Sequence, residues 1–197
     1  MNKPAPMQWA QSAPETATTT ALRTGGIVLA GTLFVAICAH VSLPLYFTPV
    51  PLTLQPFAVL VLGLLLGPGM AFATLAAYLA EGALGLPVFA PGPTGLSGLA
   101  HFFGPTGGYL MAYPAAAALI ALLWRRSSRN FGWGLVSAAA GDALILAMGA
   151  VWLALWTHGS AGSVFTQAVL PFLPGEALKI AAAAGLAAGA VRLRRAS

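Results

Sequence analysis

Charge is what this chain of 197 residues has least of. Only 7% of its residues are Asp, Glu, Lys or Arg, against about 25% in an ordinary soluble domain. Nine basic and four acidic side chains cannot coat a water-facing surface, and 58% of the residues are hydrophobic, which excludes soluble globular and disordered classes. A single cysteine, Cys38, excludes an intrachain disulfide; inside the first apolar run it is expected to be a small buried apolar side chain. The only lysines are Lys3 and Lys179, and neither follows a glycine, so the chain has no phosphate-binding P-loop of its own. No H-E-x-x-H or C-x-x-C occurs, and His40, His101 and His158 are too scattered for a metal site by spacing.

What is there is apolar sequence, with a mean hydropathy of +0.84. A helical span needs about 20 apolar residues, so six spans use roughly 120 and leave about 77 for loops and tails. The expected class is all-α: a polytopic membrane protein with six transmembrane helices. The spans are expected at 25–43, 56–67, 70–86, 108–124, 131–156 and 172–191. Residues 1–24, with three prolines and a run of threonines, read as a disordered tail, 25–191 as the transmembrane domain, and 192–197 as a basic tail. The run from Gly25 to Leu43 is longer than the apolar core of a signal peptide and more membrane sequence follows, so it reads as a retained first span.

The basic residues test this map. Lys3 and Arg23, then Arg125, Arg126 and Arg129, then Arg192, Arg194 and Arg195 all fall on one side of a six-span chain, while the segments 44–55, 87–107 and 157–171 contain none. The positive-inside rule then places both termini in the cytoplasm of a bacterial cell, in its inner membrane. Short basic clusters between apolar runs are topology signals, so no nucleic-acid partner is expected despite a pI near 10.0. The opposite loops are long, apolar and rich in Gly, Pro and aromatics. Non-helical backbone at membrane depth survives only when buried in protein or lining a cavity, so these loops suggest a lidded pocket open to the exterior.

Glu81, Asp142, Glu176 and Lys179 fall within or at the ends of spans. Each costs about 2.5–3.5 kcal/mol as a central charge on insertion scales, and such residues face the bundle interior with partners. Glu176 and Lys179 share one helix face and, with Pro174 as the first helical residue, sit within about 8 Å of its outer end. Glu81 follows Tyr78 by three residues near the same level. Asp142 is either a ligand contact or a hydrogen-bonder between helices. Thr53 and Gln55 end the proline segment and offer hydrogen bonds, and Tyr109 and Tyr113 share a face of the fourth span as interfacial anchors or ligand contacts. One string looks catalytic: Gly95-Leu96-Ser97-Gly98, a G-x-S-G as in rhomboid serine proteases. A nucleophilic serine needs a positioned base, and His101 and His158 both read as loop residues; Ser97 precedes no expected helix.

Four stretches resemble the BioY family, the biotin-binding S components of energy-coupling factor (ECF) transporters: LPLYFTPVPLTLQPFAVLVLGLLLGP (43–68), YLAEGALGLPVFA (78–90), FGPTGGYLMAYP (103–114) and FLPGEALKI (172–180). The resemblance implies a non-enzymatic, six-helix S-component-like bundle with long outer loops that binds biotin from outside. It implies no cofactor: ATP is used by a partner module of two ATPases and a transmembrane T component, although some members act without one. The family pattern P-G-D-x-x-K maps onto Pro174, Gly175, Glu176 and Lys179, with Glu in place of Asp. Small residues of the first helix, Gly26 and Ala30 or Thr32 and Ala36, are the implied docking points for the T component. Biotin's ureido ring then calls for acceptors among Glu81, Glu176 and Gln55 and donors among Lys179 and Gln55. Phe47, Phe89 and Phe102 suit its apolar parts, and its carboxylate calls for Lys179 or N–H groups of residues 92–108. Another vitamin on the same scaffold is the alternative.

Overall fold

A computed structural model describes residues 17–91 and 95–196. The chain is a helical bundle of α1 (Ala17–His40), α2 (Gln55–Leu65), α3 (Pro68–Ala83), α4 (Gly107–Arg125), α5 (Phe131–Thr157), α6 (Ala161–Ala168) and α7 (Leu173–Ala196), with a 3-10 helix at Gly98–Phe103. Six of these helices coincide with the six expected spans. By length and apolarity α1, α4 and α5 can each cross a membrane, and α6 with α7 makes a fourth candidate bent by 48°.

Punctuation in the sequence sets the ends. Pro56 and Pro68 stand in the first turns of α2 and α3, where a missing N–H costs nothing. Asn130 caps α5 by accepting from the Trp133 N–H at 2.9 Å, and His158 ends that helix in the left-handed conformation (φ 53°). Two expectations need correction. Residues 17–24, expected in the disordered tail, form the first turns of α1, because nothing between Pro14 and Gly25 breaks a helix; residues 1–16 lie outside the described part. Likewise 192–196, expected as a tail, are the last turn of α7. The expected outer loop at 157–171 contains α6, started by Ser160, whose hydroxyl accepts from the Ser163 N–H.

Helix α4 lies at the centre, packed on α2, α3 and α5, while α7 covers α5 and α2 and α1 lies at the edge against α2 and α3. Small residues let the backbones close. A Cβ on Gly141 would meet the Ile120 side chain, one on Gly149 the Tyr109 ring, and one on Gly134 Ala184 across the α5–α7 seam. Such contacts associate helices where lipid removes the hydrophobic drive between them.

Helix α2 rises only about 16 Å, roughly half the hydrocarbon thickness. The segment 44–54 before it supplies further depth as non-helical chain, pinned by a two-residue antiparallel bridge, Ser42 to Thr53 and Leu43 to Leu52. That short helix is what leaves room at one end of the bundle. Gly141→Leu should drive Ile120 out of place, an overpacking cost of about 1–3 kcal/mol; a fall of several degrees in Tm of the detergent-solubilised protein checks it.

Candidate functional site

At the end of the bundle where α2 starts, a cavity of about 50 Å³ opens into a funnel whose empty volume, mouth included, is about 760 Å³. Its mouth is chain without regular structure: Pro49, Val50 and Pro51 on one side, Gly104, Pro105 and Thr106 on the other. Both sides are tied down. The Trp152 indole N–H donates to the Gly104 carbonyl at 2.8 Å, and the Thr48 hydroxyl donates to the Gln167 carbonyl at 2.9 Å. Tyr109, which lines the funnel, crosses from α4 to donate to the Ala168 carbonyl at 2.7 Å and so ties α4 to the end of α6. The walls are Ile145 and Leu146 of α5, Leu110 of α4 and Phe172.

The inner end is polar. On α5, Asp142, Ile145 and Leu146 follow the i, i+3, i+4 spacing of one helix face, and all three line the cavity, as does Glu176 in the first turn of α7. Asp142 and Glu176 are both 4% exposed, and each keeps a buried oxygen, Oδ1 and Oε2 respectively, without a hydrogen-bond partner among the described residues. The other Glu176 oxygen, Oε1, accepts from the Lys179 Nζ at 2.7 Å. Of the two buried carboxyls, Glu176 is the one that holds the Lys179 ammonium. Tyr113, with its hydroxyl in no hydrogen bond among the described residues, completes this end. Buried acceptors left open are costly unless something donates to them, so these two oxygens call for N–H or O–H donors.

Five of the eight residues expected at the site line this cavity: Thr53, Gln55, Tyr109, Asp142 and Glu176. Gln55 is held by its amide, which donates to the Tyr78 hydroxyl at 2.8 Å; that hydroxyl donates in turn to the Val88 carbonyl at 2.8 Å. The other three do not line it. Lys179 is buried one turn behind Glu176 and reaches the cavity only through it. Glu81, on the last turn of α3, is partly exposed and does not line the cavity, because Tyr78 and Gly82 take the inward face. Phe89 fills the space over Gly82 and packs against Tyr78, His101 and Phe102 rather than the funnel. Phe47, expected with it, is exposed in a separate outer depression.

His101, Leu96 and Phe172 line the funnel and were not expected there. A 3-10 turn swings His101 inward, where its Nδ1 pairs with the Leu96 carbonyl at 3.1 Å; its spacing from other histidines carries no such signal. Ser97 does precede that turn, contrary to expectation, but is exposed and makes no hydrogen bond to His101, so the protease arrangement does not assemble. Of the two small-residue pairs, Gly26 and Ala30 face outward, whereas Thr32 and Ala36 are buried inside the bundle.

Removing Lys179 alone leaves Glu176 buried without its countercharge, so Lys179→Met should destabilise by about 3–5 kcal/mol. The double change Glu176→Leu with Lys179→Met should recover most of the loss. Thermal unfolding of the three proteins in one detergent checks this.

The family model described as the BioY family matches residues 11–196. A probable biotin transporter BioY of Pyrococcus horikoshii is 40% identical over 153 residues, covering 77% of this chain and 87% of the relative. The biotin transporter BioY of Thermotoga maritima is 35% identical over 156 residues, covering 79% and 88%. A crystal structure of the S-component for biotin from an ECF-type ABC transporter superposes with a TM-score of 0.78 at 27% identity, covering 90% of this chain and 93% of that one. With its match running almost from end to end, the chain belongs to the BioY family.

Proposed function

We propose that this protein is a biotin-capturing S component of an ECF-type uptake system, a transporter subunit and not an enzyme. The observation that carries the reading is the pair of open acceptors, Asp142 Oδ1 and Glu176 Oε2, at the buried end of an otherwise apolar funnel. Biotin enters with its ureido ring first. The two ureido N–H groups donate to those oxygens, and the Tyr113 hydroxyl donates to the ureido carbonyl. The thiophane ring lies against Ile145, Leu146 and Phe172, and Tyr109, Thr53 and Gln55 border the chain that leads out. The carboxylate stays near the mouth, where water and loop N–H groups satisfy it.

Lys179 does not touch the ligand on this reading. Its Nζ holds Glu176 Oε1 at 2.7 Å and so aims the carboxyl, which makes it a positioning residue. Glu176 in the place of the family Asp is one methylene longer, and its head is drawn back by the lysine while the free oxygen stays in the cavity.

Six spans with both termini in the cytoplasm accord with the split of charge. The mouth-forming segments carry no Lys or Arg, whereas the far ends of α4 and α7 carry six arginines between Arg125 and Arg195. The mouth then faces outward across the bacterial inner membrane. Energy comes from a partner T component and two ATPases, which alone use ATP. Helix α1, with Gly26 and Ala30 outward and open, is the surface offered to the T component.

Labelled biotin should bind the purified protein saturably. Glu176→Gln and Asp142→Asn should each weaken it at least about tenfold, about 1.4 kcal/mol, while Glu176→Asp should stay close to the parent. Tight binding of another vitamin with no binding of biotin would reject the ligand and keep the scaffold.

A further inference from the structure

His101 is a buried titratable side chain that ligand capture, as described so far, leaves idle. It is 8% exposed and lines the funnel. Its Nδ1 lies 3.1 Å from the Leu96 carbonyl, and a carbonyl only accepts, so Nδ1 carries a hydrogen in either charge state of the ring. The residue is held from two further sides. Phe89 packs against the ring with centroids 5.0 Å apart, and the His101 carbonyl accepts from the Gly104 N–H at 3.2 Å. No hydrogen bond engages Nε2 among the described residues. The imidazole is therefore fixed in place with one nitrogen uncommitted.

Charge gives that nitrogen a task. Asp142 and Glu176, both acidic, line the inner end, and among the described residues no lysine or arginine lines the funnel. His101 is thus the lining residue that can turn cationic. Its place is at the other end. Trp152 stands ten residues beyond Asp142 on α5, a rise of about 15 Å. The Trp152 indole holds Gly104, which directly follows the 3-10 turn that carries His101. A molecule that meets both Asp142 and His101 is long, with donors at one end and an anion at the other.

We infer that His101 is a specificity-determining residue that reads the free carboxylate of the ligand, as an imidazolium–carboxylate pair formed with uptake of one proton from water. This rests on the biotin reading above and adds a requirement to it: the ligand is captured as the free acid, in preference to forms whose tail is an ester or an amide. With Nδ1–H spent on Leu96, a neutral ring offers Nε2 as an acceptor only, which repels a carboxylate. A proton on Nε2 turns it into a charge-assisted donor. Imidazoles make this change between about pH 5 and 8, so affinity for the acid rises as pH falls through that range. Other ionisable groups surround the ring: Tyr78 and Glu81 on α3 and Tyr109 and Tyr113 on α4, the helices packed on its turn, with Asp142 and Glu176 across the funnel. A neutral-tailed ligand meets all of them as well, so the ratio of the two affinities isolates His101.

The test is equilibrium binding of biotin and of biotin methyl ester to the full-length purified protein at about pH 6 and about pH 8. The parent should prefer the acid by at least about tenfold at the lower pH, and that preference should shrink at least about threefold at the higher. His101→Asn keeps an N–H for the Leu96 carbonyl, its amide taking the place of Nδ1, and removes Nε2. It should lose most of the preference, and the pH dependence with it, through weaker binding of the acid; its binding of the ester reports that the bundle is intact. Equal affinity for acid and ester in the parent would overturn the inference and leave the biotin reading standing. So would a preference in the parent that stays constant between the two pH values, or one that survives with its pH dependence in His101→Asn. The two parent results decide the matter by themselves should the variant not fold. Binding of neither compound would overturn the biotin reading itself, and this inference with it.

Discussion

Two carboxyls and one ammonium buried together near one end of an oily bundle are the constraint from which the rest of this protein follows. Asp142 and Glu176 cannot be left to hydrocarbon, and Lys179 answers only one of their four oxygens. Isolated charge in low dielectric is prohibitive, and even a well-made buried pair roughly breaks even against apolar packing. A bundle selected for stability alone would place leucine here. The cluster makes physical sense as half of an interaction whose other half arrives with the ligand.

That requirement shapes the surroundings. A polar cavity at membrane depth needs walls that exclude lipid, and the tight α4–α5 and α5–α7 seams provide them through Gly141, Gly149 and Gly134. It also needs an opening that does not expose orphan backbone groups. The hydrogen bonds from Trp152 to Gly104, Thr48 to Gln167 and Tyr109 to Ala168 meet this need, each satisfying a loop or helix-end carbonyl while fixing the rim of the funnel. Tyr109 is thus a wall and a strut at once.

The helices were legible because apolar runs, prolines and basic clusters act locally. Pro56, Pro68 and Asn130 mark helix starts within a residue or two of where they stand. Asp142 and Glu176 were legible for a different reason: a carboxyl in a membrane helix has few excuses. Glu81 met the same criterion and does not line the site, since its inward neighbours Tyr78 and Gly82 took the packing face and left it at the partly exposed edge. Phe89 and His101 show the limit more sharply. Their places depend on the course of residues 84–91 and 95–106, which have hardly any periodic pattern, where Phe89 filling the gap over Gly82 and the 3-10 turn at Gly98–Phe103 decide which ring meets the funnel. Helix α6 was hidden because eight residues carry too little apolar signal to separate from a loop.

Helix α1 contributes no residue to the funnel; its buried side packs on α2 and α3, and its other side, Leu29, Leu33 and Ile37 among it, is open. The funnel and the open face of α1 thereby lie on separate strips of polypeptide. Substitutions at Leu29, Leu33 or Ile37 can therefore change what α1 presents to its surroundings while every residue lining the funnel goes untouched.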